Sequence, residues 1–249
     1  MSGHSKWATI KRKKAATDQA RGKMFSKYIK EITIAARHGG GDPNANPRLR
    51  TAIAAAKSVN MPAANIDRAV KRGTGEVDGA HYEETQYEGY GPGGAAILVE
   101  VATDNRNRTT GDVRHLFTKH GGKLGEAGSV AHLFKPHGMI VVERAAVSED
   151  TLMEAALDAG ADDVAAEGET FEVLTAPGRM EVVREALASR GIPIASAEVT
   201  RIAGLHVPVE GKDAETLLRL VEALEDHDDV QKVYSNFDIS EDVMARLSK

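Results

Sequence analysis

At 249 residues, with 41% hydrophobic, 28% charged and 4% aromatic residues, the chain is long enough for one to three domains with aliphatic cores. It has no cysteine, which excludes disulfide frameworks, thiolate nucleophiles and Cys-based zinc or iron–sulfur centres. The net charge of −5 hides a division: residues 1–75 carry 16 Lys/Arg against 4 Asp/Glu (net +12), and residues 76–249 carry 16 against 33 (net −17). A basic module on an acidic body is expected, its basic end suited to a polyanion.

The first two dozen residues run through Lys6, Trp7, Lys11, Arg12, Lys13, Lys14, Arg21 and Lys23 with few spaced apolar residues, as a basic tail does. No run is apolar enough to cross a membrane and no h-region follows the N-terminal charges, so no membrane span or secretory signal is expected. Trp7 and Asp18 sit poorly in an Arg-rich transit peptide. From Met24 to His38, Phe25, Tyr28, Ile29, Ile32 and Ala36 recur at helical spacing, with Lys23, Lys27 and Lys30 on another face. Pro47 opens a second helix with Leu49, Ala52, Ile53, Ala56 and Val59 inward and Arg50 and Lys57 outward. Pro62 opens a third, with Arg68, Lys71 and Arg72 outward and Gly73 as its expected stop. Three short helices predict a small bundle.

After a linker to Gly79 the period becomes strand-like. Strands are expected at Tyr82–Tyr90 and Ala95–Thr103 around a Gly91–Gly94 turn. A polar loop, Asp104 to Arg108, then leads to a helix capped at Thr109 or Thr110. A strand at Ser129–Phe134 and a break at Lys135–Gly138 follow. Residues 139–203 read as β-α-β-β-α-β, the ferredoxin-like order, with one short strand near Asp163–Glu169. A final strand at Leu205–Val209, helix at Ala214–Asp226 and strand at Gln231–Ile239 would complete the interrupted set at 82–134. The expected class is α+β in three domains: a basic tail and three-helix domain at 1–78, a discontinuous ferredoxin-like domain at 79–137 plus 204–249, and an inserted ferredoxin-like domain at 138–203.

The basic end carries the chemistry. Lysine and arginine neutralise phosphates and release counterions, giving affinity without reading sequence. Trp7 either stacks on a splayed base or packs on the bundle. Arg106 and Arg108 either grip phosphate or belong to a loop whose Asx residues cap backbone groups. The expected nucleic-acid contacts are Lys6, Trp7, Lys11, Arg12, Lys13, Lys14, Arg21, Lys23, Lys27, Lys30, Arg50, Lys57, Lys71, Arg72, Arg106 and Arg108. An enzyme is the rival class: Asp104, Asp112, Glu100 and Glu126 with His115 or His120 would serve a metal-dependent nuclease. However, HExxH, EF-hand, Walker and GxSxG motifs are all missing. No catalytic residue, metal or cofactor is therefore expected.

Gly3-His4-Ser5-Lys6-Trp7, Arg48 to Pro62, Tyr87-Glu88-Gly89-Tyr90-Gly91-Pro92-Gly93-Gly94, Thr103 to Arg108 and Val233-Tyr234-Ser235-Asn236-Phe237-Asp238 together resemble the YebC family, nearly end to end. That family includes the mitochondrial translational activator of cytochrome oxidase subunit one. The resemblance implies three domains, one helical and two α+β with one inserted. It implies a non-enzymatic regulator of gene expression: a ribosome-associated translation factor meeting ribosomal RNA or tRNA, or alternatively a transcriptional regulator meeting promoter DNA. Lys6, Trp7 and the Lys11–Lys14 cluster would make the contact. A chain beginning almost at the Gly-His-Ser-Lys-Trp motif is expected to be bacterial and cytoplasmic. Its partners would be nucleic acid and the ribosome, with no membrane.

Overall fold

The structure is a computed structural model that describes residues 18–240 and Val243, with side chains described from Gly22 onward. The chain divides into two compact units, one formed by residues 1–132 and 205–249 and the other by Leu133–Gly204.

The first unit opens with three helices, α1 (Asp18–Gly39), α2 (Pro47–Ser58) and α3 (Ala63–Thr74). Their cores meet as the periodicity predicts: Ile32, Ala35 and Ala36 pack with Leu49, Ala52, Ala56, Ile66 and Ala69. Asn46 caps α2, its Oδ1 accepting the Leu49 amide at 3.1 Å while its amide donates to the Ala35 carbonyl of α1 at 2.8 Å. Gly73 does not end α3. It lies inside the helix, where a Cβ would meet the Thr33 carbonyl of α1 and come within 2.6 Å of the Ala36 Cβ. The helix ends instead at Gly75, which takes the left-handed φ of 82° that glycine tolerates.

Strands β1 (Glu83–Tyr90) and β2 (Ala96–Thr103) form the expected hairpin around a tight Pro92–Gly94 turn. Helix α4 (Arg106–Lys119) and the two-residue strand β3 (Lys123–Leu124) follow. Past the second unit come β8 (Val207–Pro208), α7 (Gly211–Glu225), β9 (Val230–Ser235) and β10 (Phe237–Asp238). The sheet order is β3-β1-β2-β9, all antiparallel. Val113 and Phe117 of α4 join Leu217, Leu220 and Val221 of α7 over Ile97, Val99 and Val233. The layers are those of a ferredoxin-like domain, while the connectivity differs because β1 passes directly into β2. The expected strand at Leu205–Val209 shrinks to β8, paired in parallel with β10. The expected final strand is cut at Asn236, whose Oδ1 accepts the Ala96 amide at 2.7 Å.

The second unit contains β4 (Phe134–Glu143), α5 (Glu149–Ala159), β5 (Asp163–Glu167), β6 (Thr170–Thr175), α6 (Met180–Ser189) and β7 (Ser196–Ala203). Its antiparallel order β5-β6-β4-β7 is that of the β-α-β-β-α-β fold, with Leu152, Val183 and Leu187 packed on Ile140, Val142, Phe171 and Val173. Lys135–Gly138 is not a break, because it pairs within β4. The expected strand at Ser129–Phe134 is instead a short 3-10 turn, Ala131–Leu133, leading into β4. Glu88 explains the turn. Its carboxylate accepts the amides of Gly128, Val130 and Ala131 at 2.6, 2.7 and 2.7 Å, drawing that backbone away from a ladder.

Candidate nucleic-acid interface

The lysine stripe of α1 has a use that its spacing conceals. Lys23, Lys27 and Lys30 face the end of α7 and the acidic turn beyond it. Lys23 lies 3.6 Å from the Asp226 carboxylate, and Lys27 Nζ donates to the Glu225 carbonyl at 2.7 Å. Lys30 is buried, 8% exposed, and donates to the carbonyls of Ala102 and Asp228 and to Asp229 Oδ1, at 3.3, 2.9 and 2.7 Å. A helix C-terminus presents unpaired carbonyls and a negative dipole end, so a row of ammonium groups is favoured there. Lys30 is therefore removed from the expected nucleic-acid contacts: its three donors are consumed inside the fold. Lys27 also spends a donor on the fold, while Lys23 stands at the surface beside Asp226.

Asp229 is the hub of that junction. Besides Lys30 it accepts from Arg108 at 2.8 Å, Thr109 at 2.7 Å and Thr103 at 3.3 Å. Burial opposes its ionisation, but the donors from Lys30, Arg108 and Thr109 outweigh that and hold its carboxyl well below the usual range. The polar stretch at 104–108 is not a loop grip on phosphate. Asn105 is the N-cap of α4, accepting the Arg108 amide at 3.1 Å, so Arg106 and Arg108 occupy its first turn. Arg108 also takes Asp104 at 3.0 Å through the same nitrogen that meets Asp229, so its charge is matched within the fold, as in the reading that gives this stretch a capping role.

Beside this junction lies an open cleft of about 580 Å³, lined by Lys23, Lys30, Tyr82, Asp104, Arg108, Asp112, Asp226, His227, Asp228 and Asp229. Its carboxylates outnumber its cations, so it repels a phosphate backbone. Of the four carboxylates weighed for metal chemistry only Asp104 and Asp112 share this cleft, where Asp104 pairs with Arg108 and Asp112 lies 3.4 Å from His227; Glu100 accepts from the Tyr234 hydroxyl at 3.2 Å, and Glu126 is exposed. Among the described residues no group of three or more His, Asp or Glu is arranged to hold a metal ion. His120 is pushed down by burial first, then by Lys119, Arg219 and His115.

The cations left facing solvent are on the bundle and at the start of α4. Lys57 and Arg106 are exposed, and among the described residues neither makes an ion pair. Arg50 is exposed and, among the described residues, donates to the Pro43 carbonyl alone at 3.2 Å, while Lys71 is paired with Asp67 at 2.9 Å. Arg72 is half-buried on α3 beside the exposed Arg68, which the sequence pattern had shown only as one more outward cation. Lys6, Trp7, Lys11, Arg12, Lys13 and Lys14 lie outside the described residues, as does the side chain of Arg21. Arg48 holds the bundle to the sheet, donating to Glu31 at 2.8 Å and to Glu84 at 2.6 Å. Among the described residues no helix is long and apolar enough to cross a membrane.

Comparison with known proteins covers nearly the whole chain. The model of the TACO1/YebC protein N-terminal domain matches residues 5–76, and that of the TACO1/YebC second and third domain matches residues 82–237. A "probable transcriptional regulatory protein" of Dictyoglomus turgidum is 56% identical over 249 residues, 100% of both chains. One of the same description from Desulfatibacillum aliphaticivorans is 58% identical over 98% of this chain and 99% of its own. The crystal structure of a conserved hypothetical protein from Aquifex aeolicus superposes with a TM-score of 0.84 at 49% identity, covering 90% of this chain and 93% of that one.

Proposed function

We propose, from the premise that the chain belongs to the TACO1/YebC family, that it is a non-enzymatic regulator of gene expression acting in the cytoplasm through contacts with nucleic acid. The observation that carries this reading is the net +12 of residues 1–75, set on a body of net −17. A field of that asymmetry orients a polyanion toward one end of the molecule and repels it from the rest. The stripe on α1 engages three lysines of the basic end, leaving Lys57, Arg68 and the tail cluster, with Arg106 of α4, for phosphate.

The ligand we favour is RNA, and the finer role a ribosome-associated translation factor that meets ribosomal RNA or tRNA. The outward cations are scattered over α2, α3 and the start of α4, and are not concentrated on one helix shaped to read a groove. Scattered cations with a flanking aromatic suit the irregular backbone of folded RNA. The connection between α2 and α3 turns at Asn60, with φ of 60°, into Met61-Pro62, unlike the Gly-centred turn of a DNA-reading helix pair. The second reading is a DNA-binding transcriptional regulator, favoured by the description that the relatives carry.

Crosslinking in growing cells followed by sequencing of the bound nucleic acid separates the two. Enrichment of ribosomal RNA or tRNA is expected. Enrichment at discrete promoters without those RNAs would replace the translation reading by the transcriptional one.

A further inference from the structure

The seam between α1 and α3 holds a feature that helix packing alone does not explain. Asn65, Arg68 and Arg72 fall at i, i+3 and i+7, so they share one side of α3. With Ile29 of α1 and Ala69 they line an open pocket of about 100 Å³. That is room for a small tetrahedral oxyanion. The floor is apolar, since Ala69 is 1% exposed and Ile29 is packed into the bundle core.

One donor beside that floor lacks an acceptor among the described residues. Arg72 Nε is fully buried and has no hydrogen-bond partner among the described residues, and the chain passes close over its stem at Gly79, where an added Cβ would lie 3.0 Å from Arg72 Cδ. Neither Arg68 nor Arg72 makes an ion pair among the described residues, and no carboxylate lines the pocket. The neighbours behave differently: Lys71, one residue away on the same helix, takes Asp67, and Arg48 takes both Glu31 and Glu84. A buried guanidinium N–H with no acceptor is costly to a fold. An anion in the pocket meets two guanidinium groups that no lining carboxylate neutralises, and a guanidinium fork matches the spacing of two phosphate oxygens.

We propose that Asn65, Arg68 and Arg72 form a phosphate-binding pocket on the α1/α3 seam, and that its ligand is a backbone phosphodiester of bound nucleic acid. The inference rests on the nucleic-acid reading above and sharpens it: it turns a diffuse basic surface into one defined contact. Two of its three residues, Asn65 and Arg68, are not among the sixteen nucleic-acid contacts expected from the sequence, although Arg68 is one of the outward cations of the basic end. Gly73 is what builds it, because the close approach of α3 to α1 at that residue places Arg72 against the seam.

The test uses the full chain and fluorescence anisotropy with a labelled RNA hairpin and a labelled DNA duplex, across about 50 to 200 mM salt. Arg68→Ala with Arg72→Ala should weaken binding about tenfold or more and lower the slope of log K against log salt by about one to two. Lysine at both positions should keep the slope and recover only part of the affinity, since it restores charge without the fork. In nitrogen–proton spectra of the wild-type chain, the Arg72 Nε–Hε resonance should shift on adding the hairpin. Wild-type affinity and slope in the double alanine variant, or an unmoved Arg72 resonance in a chain that binds, overturns the pocket and leaves the wider reading standing. A wild-type chain that binds neither RNA nor DNA overturns both. Should the double alanine variant fail to fold, Arg68→Glu decides, because Arg68 is exposed: undiminished binding by that variant overturns the pocket.

Discussion

Lys30 Nζ and Asp229 Oδ1 stand 2.7 Å apart although 199 residues separate them in the chain. This pair, 11% and 6% exposed at its side chains, fastens the bundle's first helix to the end of α7. Breaking one side of a buried pair leaves an uncompensated charge, which costs about 3–5 kcal/mol. Lys30→Met should fall toward the low end, about 3 kcal/mol, because Asp229 keeps Arg108 and Thr109. Urea unfolding at neutral pH checks this, and adding Asp229→Asn to Lys30→Met should recover part of the loss. A Lys30→Met chain as stable as wild type would show that the pair does not fasten the two parts.

Acid should loosen the same junction. Asp229 is held below the usual carboxylate range, as is Glu88, where burial opposes ionisation but the Gly128, Val130 and Ala131 amides outweigh it. Glu84 is lowered chiefly by its hydrogen bond from Arg48. In each case the unfolded chain binds a proton at a higher pH than the folded one. The stability they contribute is therefore complete above the ordinary carboxylate pKa of about 4 and is lost as pH falls below it. The unfolding midpoint should drop steeply between about pH 5 and about pH 2.5, and Asp229→Asn should flatten that drop.

One substitution should have opposite signs in two helices. Gly111 of α4 is exposed with open space around it, so Gly111→Ala should stabilise by about 0.5–1 kcal/mol through helix propensity. Gly73→Ala must push a methyl into the Thr33 carbonyl and the Ala36 Cβ, and overpacking of that kind costs about 1–3 kcal/mol. Thermal unfolding of the two variants gives the comparison. Equal shifts would mean that α1 and α3 are not in contact at Gly73.

Glu88→Gln should open the turn it organises. An amide side chain has one acceptor oxygen where the carboxylate has two, so it cannot serve the Gly128 amide and the Val130 and Ala131 amides together. A buried amide left without its acceptor costs about 1–3 kcal/mol, which should speed hydrogen exchange at one of these sites about tenfold or more. Exchange as slow as in wild type would mean that the turn does not depend on the carboxylate.

Much of the architecture can be read locally. The i, i+3, i+4 apolar spacing of α1, α2 and α3 and the ferredoxin-like order of residues 139–203 need only neighbouring residues to declare themselves. The failures share a cause, which is a partner far away in the chain. Lys30 sits on a lysine face that looks solvated until Asp229 arrives. Val130 and Phe134 suggest a strand, and the Glu88 carboxylate bends the backbone between them into a turn. Arg108 reads as a phosphate ligand until its helix begins at Arg106 and turns it toward Asp229. Gly73 reads as a stop because glycine usually ends helices, whereas here the bulk it lacks lets α3 rest on α1. The Arg68 and Arg72 pocket was illegible for the same reason, since nothing in α3 alone shows that Ile29 closes it.

Because β9 and Asp229 both lie beyond the inserted unit, the first helix waits for the last strand of the host sheet. During synthesis the bundle emerges first, and Lys23, Lys27 and Lys30 wait for the acceptors at residues 225–229 while more than a hundred further residues are added. A chain cut short before residue 229 has the basic charge but not the acceptor that fastens it. The contacts that fix the first helix against the host domain are thus among the last that the chain can make.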